Sequence, residues 1–161
     1  MRTLIGAIGY RNLRDHSVAF EVLDRLARDQ WGPEVVLEDI SYNPIALVQW
    51  LEEPPPHERF ERAILVSGVE RAGRLPGAFA TYQWDRVLPS NELIQQAITE
   101  AVTGIISLDN TLVIAGYFGA LPASVTVIEI EPAEHAFGFE LSPVVERAVD
   151  AVSLLIRETV A

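Results

Sequence analysis

Two stretches of this sequence place apolar residues on consecutive positions, without the polar–apolar alternation of a half-exposed strand. They are Thr3 to Ile8, ending at Gly9, and Arg62 to Val69. Consecutive apolar positions suit strands covered on both faces, which occur in the middle of parallel sheets packed between helices. The segments between them agree. From Ser17 to Arg28 the apolar residues fall at Val18, Ala19, Val22, Leu23, Leu26 and Ala27, a helical stripe with Asp15 or Ser17 as its N-cap. Glu34 to Ile40 reads as a strand. Asn43-Pro44 opens a helix that the proline run at 54–56 stops. Ala78 to Trp84 reads as a fourth strand, and Ser90 caps a helix carrying Leu93, Ile94, Ala97, Ile98, Ala101 and Val102. Leu108 to Phe118 is a further helix, Val125 to Ile130 the last strand, and Ser142-Pro143 the start of the final helix. Alternating strands and helices over 161 residues predict one domain, 1–161. Its expected form is a three-layer α/β/α sandwich with a twisted, mostly parallel central sheet, strands one and three being central.

Composition removes several chemistries. The chain has no cysteine, and its twelve basic residues are all arginine. Thiolate metal sites, thiol nucleophiles and lysine Schiff bases are therefore excluded. With 23 acidic residues the formal net charge is −11, which disfavours nucleic acid as a partner. No apolar run approaches the length of a membrane span, and the start does not read as a signal peptide, so the expected setting is cytoplasmic.

Ligands of parallel α/β sheets bind at the carboxyl ends of the strands. That directs attention to Tyr10–His16, Asp39–Asn43 and Ser67–Arg71. Asp15-His16 stands where a strand passes into a helix. It could supply a metal ligand or a general base, or be a cap beside an exposed histidine. Ser67, His16 and Asp39 could be drawn as a nucleophilic triad, but Val-Ser-Gly-Val is not a nucleophile elbow. A serine at a strand end also serves as a backbone hydrogen-bonding partner. His57 follows three prolines and reads as solvated. His135 lies among Glu131, Glu134 and Glu140, either a solvated acidic loop or a place for an adventitious surface ion. Gly6-Ala-Ile-Gly9 only echoes a dinucleotide loop, since it lacks the third glycine and a helix start rich in small residues. Trp31, Trp50 and Trp84 read as core or edge anchors.

The chain resembles the nickel–iron hydrogenase maturation endopeptidases over nearly its whole length. The resemblance rests on Ile5-Gly-Ala-Ile-Gly-Tyr-Arg-Asn-Leu-Arg-Asp-His16, with Gly9 and Asp15 in register. It continues through Ala63-Ile-Leu-Val-Ser-Gly-Val69, Leu75-Pro-Gly-Ala78, Gly104-Ile-Ile-Ser-Leu108 and Gly119-Ala-Leu-Pro122. The end is clearest: Val125-Thr-Val-Ile-Glu-Ile-Glu-Pro132, Phe137-Gly138, and Leu141-Ser-Pro-Val-Val-Glu-Arg-Ala-Val149. The resemblance implies the α/β/α fold and a hydrogenase large subunit or other assembly protein as partner. It also implies that nickel is sensed in that partner, so no resident cofactor is expected. The three family positions that sense nickel fall here on His16, Ser67 and Gly104. Gly104 has no side chain and Ser67 is a poor ligand, so no tight metal site is expected there. If the register of 85–104 slips, Glu92 is the nearest alternative ligand.

Two readings follow. One is a catalytically silent relative that keeps the binding role. The other is an endopeptidase that removes the C-terminal extension of a large subunit through a rearranged site using Asp15, His16 and Asp39. A weaker third is a small-molecule hydrolase built on Ser67. The cleft is expected to be lined by Tyr10, Arg11, Arg14, His16, Tyr42, Ser67, Glu70 and Arg71, with Asp15 and Asp39 beside it. Its three arginines would either form a positive spot for a carboxylate or pair with Glu38, Asp39 and Glu70.

Overall fold

The computed structural model describes residues 1–161. A five-stranded sheet forms the middle layer, in the order β2-β1-β3-β5-β4. Its strands are β1 (Thr3–Ile8), β2 (Val35–Asp39), β3 (Arg62–Gly68), β4 (Phe79–Gln83) and β5 (Ser124–Ile130). Four strands are parallel and β4 alone runs antiparallel, on β5. Helices α1 (Val18–Leu26), α2 (Pro44–Glu52), α3 (Asn91–Val102), α4 (Leu108–Tyr117) and α5 (Pro143–Val160) complete the layers. None is long and apolar enough to cross a membrane.

The consecutive apolar positions of β1 and β3 have the expected cause. Every residue of β1 is buried, and β3 lies between β1 and β5 at the centre of the sheet. Alternate side chains feed two cores. Ile5, Ala7, Ile64 and Val66 pack with α1 and α5, while Leu4, Ile8, Ala63 and Leu65 pack with α2 and α4. The edge strand β4 is largely exposed. Trp31 donates to the Leu26 carbonyl at 2.7 Å, and Trp50 packs on Phe60.

Two expected caps do other work. Ser17 Oγ donates to the Arg14 carbonyl, and Ser142 Oγ donates to Asp15 rather than capping α5. A single 3-10 turn, Arg14–Ser17, precedes α1 and is the part of the fold that builds the site. It folds back on the end of β1, where the Tyr10 amide donates to the His16 carbonyl at 3.1 Å. Only a glycine permits that approach, since a Cβ at Gly9 would collide with the His16 carbonyl oxygen. Gly9→Ala is therefore expected to lower stability by about 1–3 kcal/mol, read as a drop in the urea midpoint at unchanged slope.

Candidate functional site

The chain leaves β1 to one side, toward β2, and returns to the other side as β3. The carboxyl ends of β1 and β3 therefore flank a topological switch point, where such sheets carry their crevice. A cleft of about 190 Å³ lies there. It is lined by Ile8, Gly9 and Tyr10 after β1, His16 of the 3-10 turn, Ser67 to Glu70 after β3, and Ile106 to Asp109 at the start of α4. That volume is below the range of pockets that enclose a drug-sized ligand.

The lining departs from the expected set. Tyr10, His16, Ser67 and Glu70 line the cleft; Arg11, Arg14, Tyr42 and Arg71 do not. Tyr42 packs against the α2–α4 core instead, and burial, with Glu38 and Asp39 nearby, pushes its hydroxyl pKa up. Gly104 stands in the exposed loop after α3 with a φ of +93° and meets nothing, and Glu92 is exposed at the start of α3. That side of the cleft is built by Ile106 to Asp109. The Ile106 amide donates to the Tyr10 hydroxyl at 2.9 Å, and Ser107 caps α4. The signal for this was present in Ser107-Leu-Asp-Asn, a cap ahead of a helix, three residues beyond the position chosen for the match.

Asp15 is neither a ligand nor a base. It is fully buried, and its carboxylate accepts four hydrogen bonds. Oδ2 accepts from the Ala133 amide at 2.8 Å, the Glu134 amide at 2.7 Å and Ser142 Oγ at 2.8 Å. Oδ1 accepts from the Ser142 amide at 2.7 Å. Burial pushes its pKa up, but these bonds outweigh burial and leave it below the ordinary value. The effect is to clamp the loop between β5 and α5 onto the 3-10 turn. The backbone continues the clamp: the Arg14 amide donates to the Gly138 carbonyl and the Gly138 amide to the Asn12 carbonyl.

The clamp decides where His135 goes. None of its sequence neighbours Glu131, Glu134 and Glu140 pairs with it. Glu131 accepts from the Arg71 amide, Glu134 lies 3.9 Å from Arg14, and the Glu140 carbonyl accepts from Arg14. His135 instead meets His16, Nδ1 to Nε2 at 2.8 Å, and Glu70 at 3.1 Å. Glu70 is also 3.8 Å from His16. Burial, and then the His135 ring, lower the His16 pKa, against the opposing pull of Glu70 and Asp15. Both lowering effects favour the neutral imidazole at His16.

Ser67 is buried, and its Oγ donates to the Ile8 carbonyl at 2.8 Å across the β1–β3 pair. With His16 directed to His135 and Asp39 paired with Arg11 at 3.2 Å, the drawn Ser67–His16–Asp39 triad does not assemble.

The arginines are neutralised individually and form no positive spot. Arg11 pairs with Asp39 and lies over the Phe20 ring. Arg71 binds Asp109 and the buried Glu129. Neither Glu38 nor Glu70, two of the expected partners, pairs with an arginine. Glu129 was missed by the sequence reading because it sits inside the apolar run of β5. It accepts from Arg71, Arg74 and Tyr82, at 2.6–3.1 Å. Burial raises its pKa, but those donors bring it down to about 2.

Comparison with solved structures places this geometry. A hydrogenase 2 maturation peptidase from a Thaumarchaeota archaeon superposes at a TM-score of 0.70 with 26% identity, covering 100% of this chain and 99% of that one. The chain has the fold of the hydrogenase maturation proteases. The maturating endopeptidase HybD from Escherichia coli matches at 0.67 and 17% identity, over 99% of this chain and 94% of that one. The maturation protease HybD from Thermococcus kodakarensis matches at 0.66 and 18%, over 99% of both chains. No protein-family profile and no curated relative matches the sequence. The likeness of fold thus extends over nearly the whole chain at low sequence identity.

Two outcomes are expected. Asp15→Ala leaves three backbone amides and a hydroxyl without their acceptor, so it should cost about 3 kcal/mol or more, measured by chemical denaturation. The second concerns acid. Asp15 and Glu129 have folded pKa values below their unfolded ones, so their contribution is complete above about pH 5. It is lost as pH falls through the folded values. The urea midpoint should fall steeply between roughly pH 4.5 and 2, and less steeply in Glu129→Gln.

Proposed function

We propose that this chain is a divergent relative of the hydrogenase maturation proteases that binds a hydrogenase large subunit or another assembly protein, in the cytoplasm, without cutting it through the family's nickel-sensing positions. One observation carries this reading. The switch-point cleft survives, yet of the three positions matched to the nickel-sensing residues only His16 presents a ligand atom to it. Ser67 turns its hydroxyl into the β1–β3 pair and Gly104 stands outside the cleft.

The rearranged site drawn from Asp15, His16 and Asp39 lacks support. Asp15 has its oxygens committed to the clamp, and Asp39 is held by Arg11 and by the Ser41 amide. What remains for a partner is an apolar surface. Tyr10 is half exposed at the cleft edge, and Ile105 adjoins its α4 wall. Phe137 and Phe139, 76% and 75% exposed, stack edge-on at 6.2 Å on the clamped loop. Phe139 and Arg11 line the same shallow depression. Aromatic side chains held in water on a fixed loop are a common signature of a protein interface. Arg11, with most of its side chain in solvent, is placed to join it as a rim contact.

The test is incubation with nickel-loaded large-subunit precursor, read by intact mass and by pull-down. The expected result is an unshortened precursor that is retained by the wild type. Retention should be weakened about tenfold or more by the double variant Phe137→Asp, Phe139→Asp. A precursor shortened at its C-terminus would replace this reading with the endopeptidase one. Absence of retention would remove the docking role.

A further inference from the structure

The meeting of His16, Glu70 and His135 is the feature that neither the fold nor the resemblance accounts for. The two imidazoles are 119 residues apart in sequence. They arrive from different segments, His16 from the 3-10 turn and His135 from the β5–α5 loop, while Glu70 follows β3. Glu70 and His135 lie outside the three positions that the resemblance marks as nickel-sensing. Each of the three residues offers one ligand atom, and all three atoms lie within 4.8 Å of one another.

We propose that His16 Nε2, His135 Nδ1 and a Glu70 carboxylate oxygen form a resident binding site for a first-row divalent cation of the zinc type, with a fourth position open to the cleft. The proposal is independent of the docking role and stands if that role fails.

Three arguments carry it. The first is spacing. The donor atoms are separated by 2.8, 3.1 and 3.8 Å. A tetrahedral ion with bonds of about 2.0–2.1 Å sets its ligand atoms roughly 3.3 Å apart. The observed triangle brackets that edge, and the exposed Glu70 side chain can rotate to equalise it. The second is donor chemistry. Two imidazoles and one carboxylate suit Zn²⁺, Co²⁺ and Ni²⁺, whereas Mg²⁺ and Ca²⁺ take oxygen ligands almost exclusively. A soft copper(I) ion is disfavoured because none of the three donors is sulfur.

The third is that the site is held and not occupied by other charges. His135 follows Glu134, whose amide the buried Asp15 carboxylate fixes, so the ring is presented by an anchored backbone. Asp15 acts here as a positioning residue and touches no metal. The nearest arginines are engaged elsewhere, Arg14 with the Glu140 carbonyl and Arg71 with Asp109 and Glu129. His16 and Glu70 both line the cleft, so the vacant coordination position faces the surface a partner or a water would occupy. Three protein donors with one position free is the arrangement of zinc sites that bind an exchangeable ligand, in contrast to the closed four-ligand structural sites.

The test uses the tag-free full chain after removal of metal, titrated with Co²⁺ and followed by its visible d–d absorption, then displaced by Zn²⁺. The expected result is one ion per chain, with a spectrum of four- or five-coordinate cobalt. His135→Ala and Glu70→Gln should each weaken binding at least about 100-fold, more than loss of a merely supporting group costs. His135 is exposed, so both variants should retain the wild-type melting temperature in the absence of metal, which separates lost binding from lost folding. His57→Ala, at an exposed histidine remote from the cleft, should bind as the wild type does. Affinity should fall as the solution is acidified, because protons compete with the metal for the donor atoms. No uptake by the wild type would overturn the proposal. So would uptake unchanged in both His135→Ala and Glu70→Gln, or weak uptake of several ions lost in His57→Ala.

Discussion

A buried carboxylate organises the functional end of this molecule. Asp15 is anionic because four donors surround it, and those donors belong to a loop that lies more than 115 residues further along the chain. An uncompensated charge at that depth would be strongly unfavourable. The chain can therefore fold only with the β5–α5 loop closed over the 3-10 turn. From that single requirement follow the direction of α5, the meeting of His135 with His16, and the exposure of Phe137 and Phe139 on a loop that cannot relax into the core.

The second buried carboxylate, Glu129, does comparable work at the other side of the cleft. By binding Arg71, Arg74 and Tyr82 it ties the segment after β3 and the edge strand β4 to β5, and Arg71 extends the tie to Asp109 at the start of α4. The two networks bracket the cleft, one through the loop that carries His135 and one through the helix that carries Asp109. Neither supplies a group to a reacting centre. Both fix the wall from which Tyr10, His16 and Glu70 project.

The strands and helices were legible in the sequence because burial on two faces leaves a local mark. The consecutive apolar residues of β1 and β3 and the helical stripe of α5 are set by neighbours within a few positions. The resemblance to the maturation proteases was legible for the same reason, through Gly9, Pro132 and Leu141-Ser-Pro143, which mark turns and element ends. The site was much less so. His135 was assigned to Glu131, Glu134 and Glu140, which are near in sequence, whereas its partners are set by hydrogen bonds formed 118 to 127 residues away. Asp15 looked like a cap or a base because a carboxylate before a helix often is one. Only the loop folding over it turns that residue into a clamp. Arg71 was left between a positive spot and pairing with Glu38, Asp39 or Glu70, because Glu129, its partner, was hidden in an apolar strand.

The central claim is that the Asp15 carboxylate holds the β5–α5 loop closed, and amide hydrogen exchange reads it directly. The amides of Ala133, Glu134 and Ser142 should exchange slowly in the native protein, at rates approaching those of the β1 and β3 amides, although Glu134 is exposed. In Asp15→Asn the same three should exchange much faster while the β3 amides stay protected. Fast exchange of these amides in the unaltered protein, on the scale of an open loop, would contradict the account.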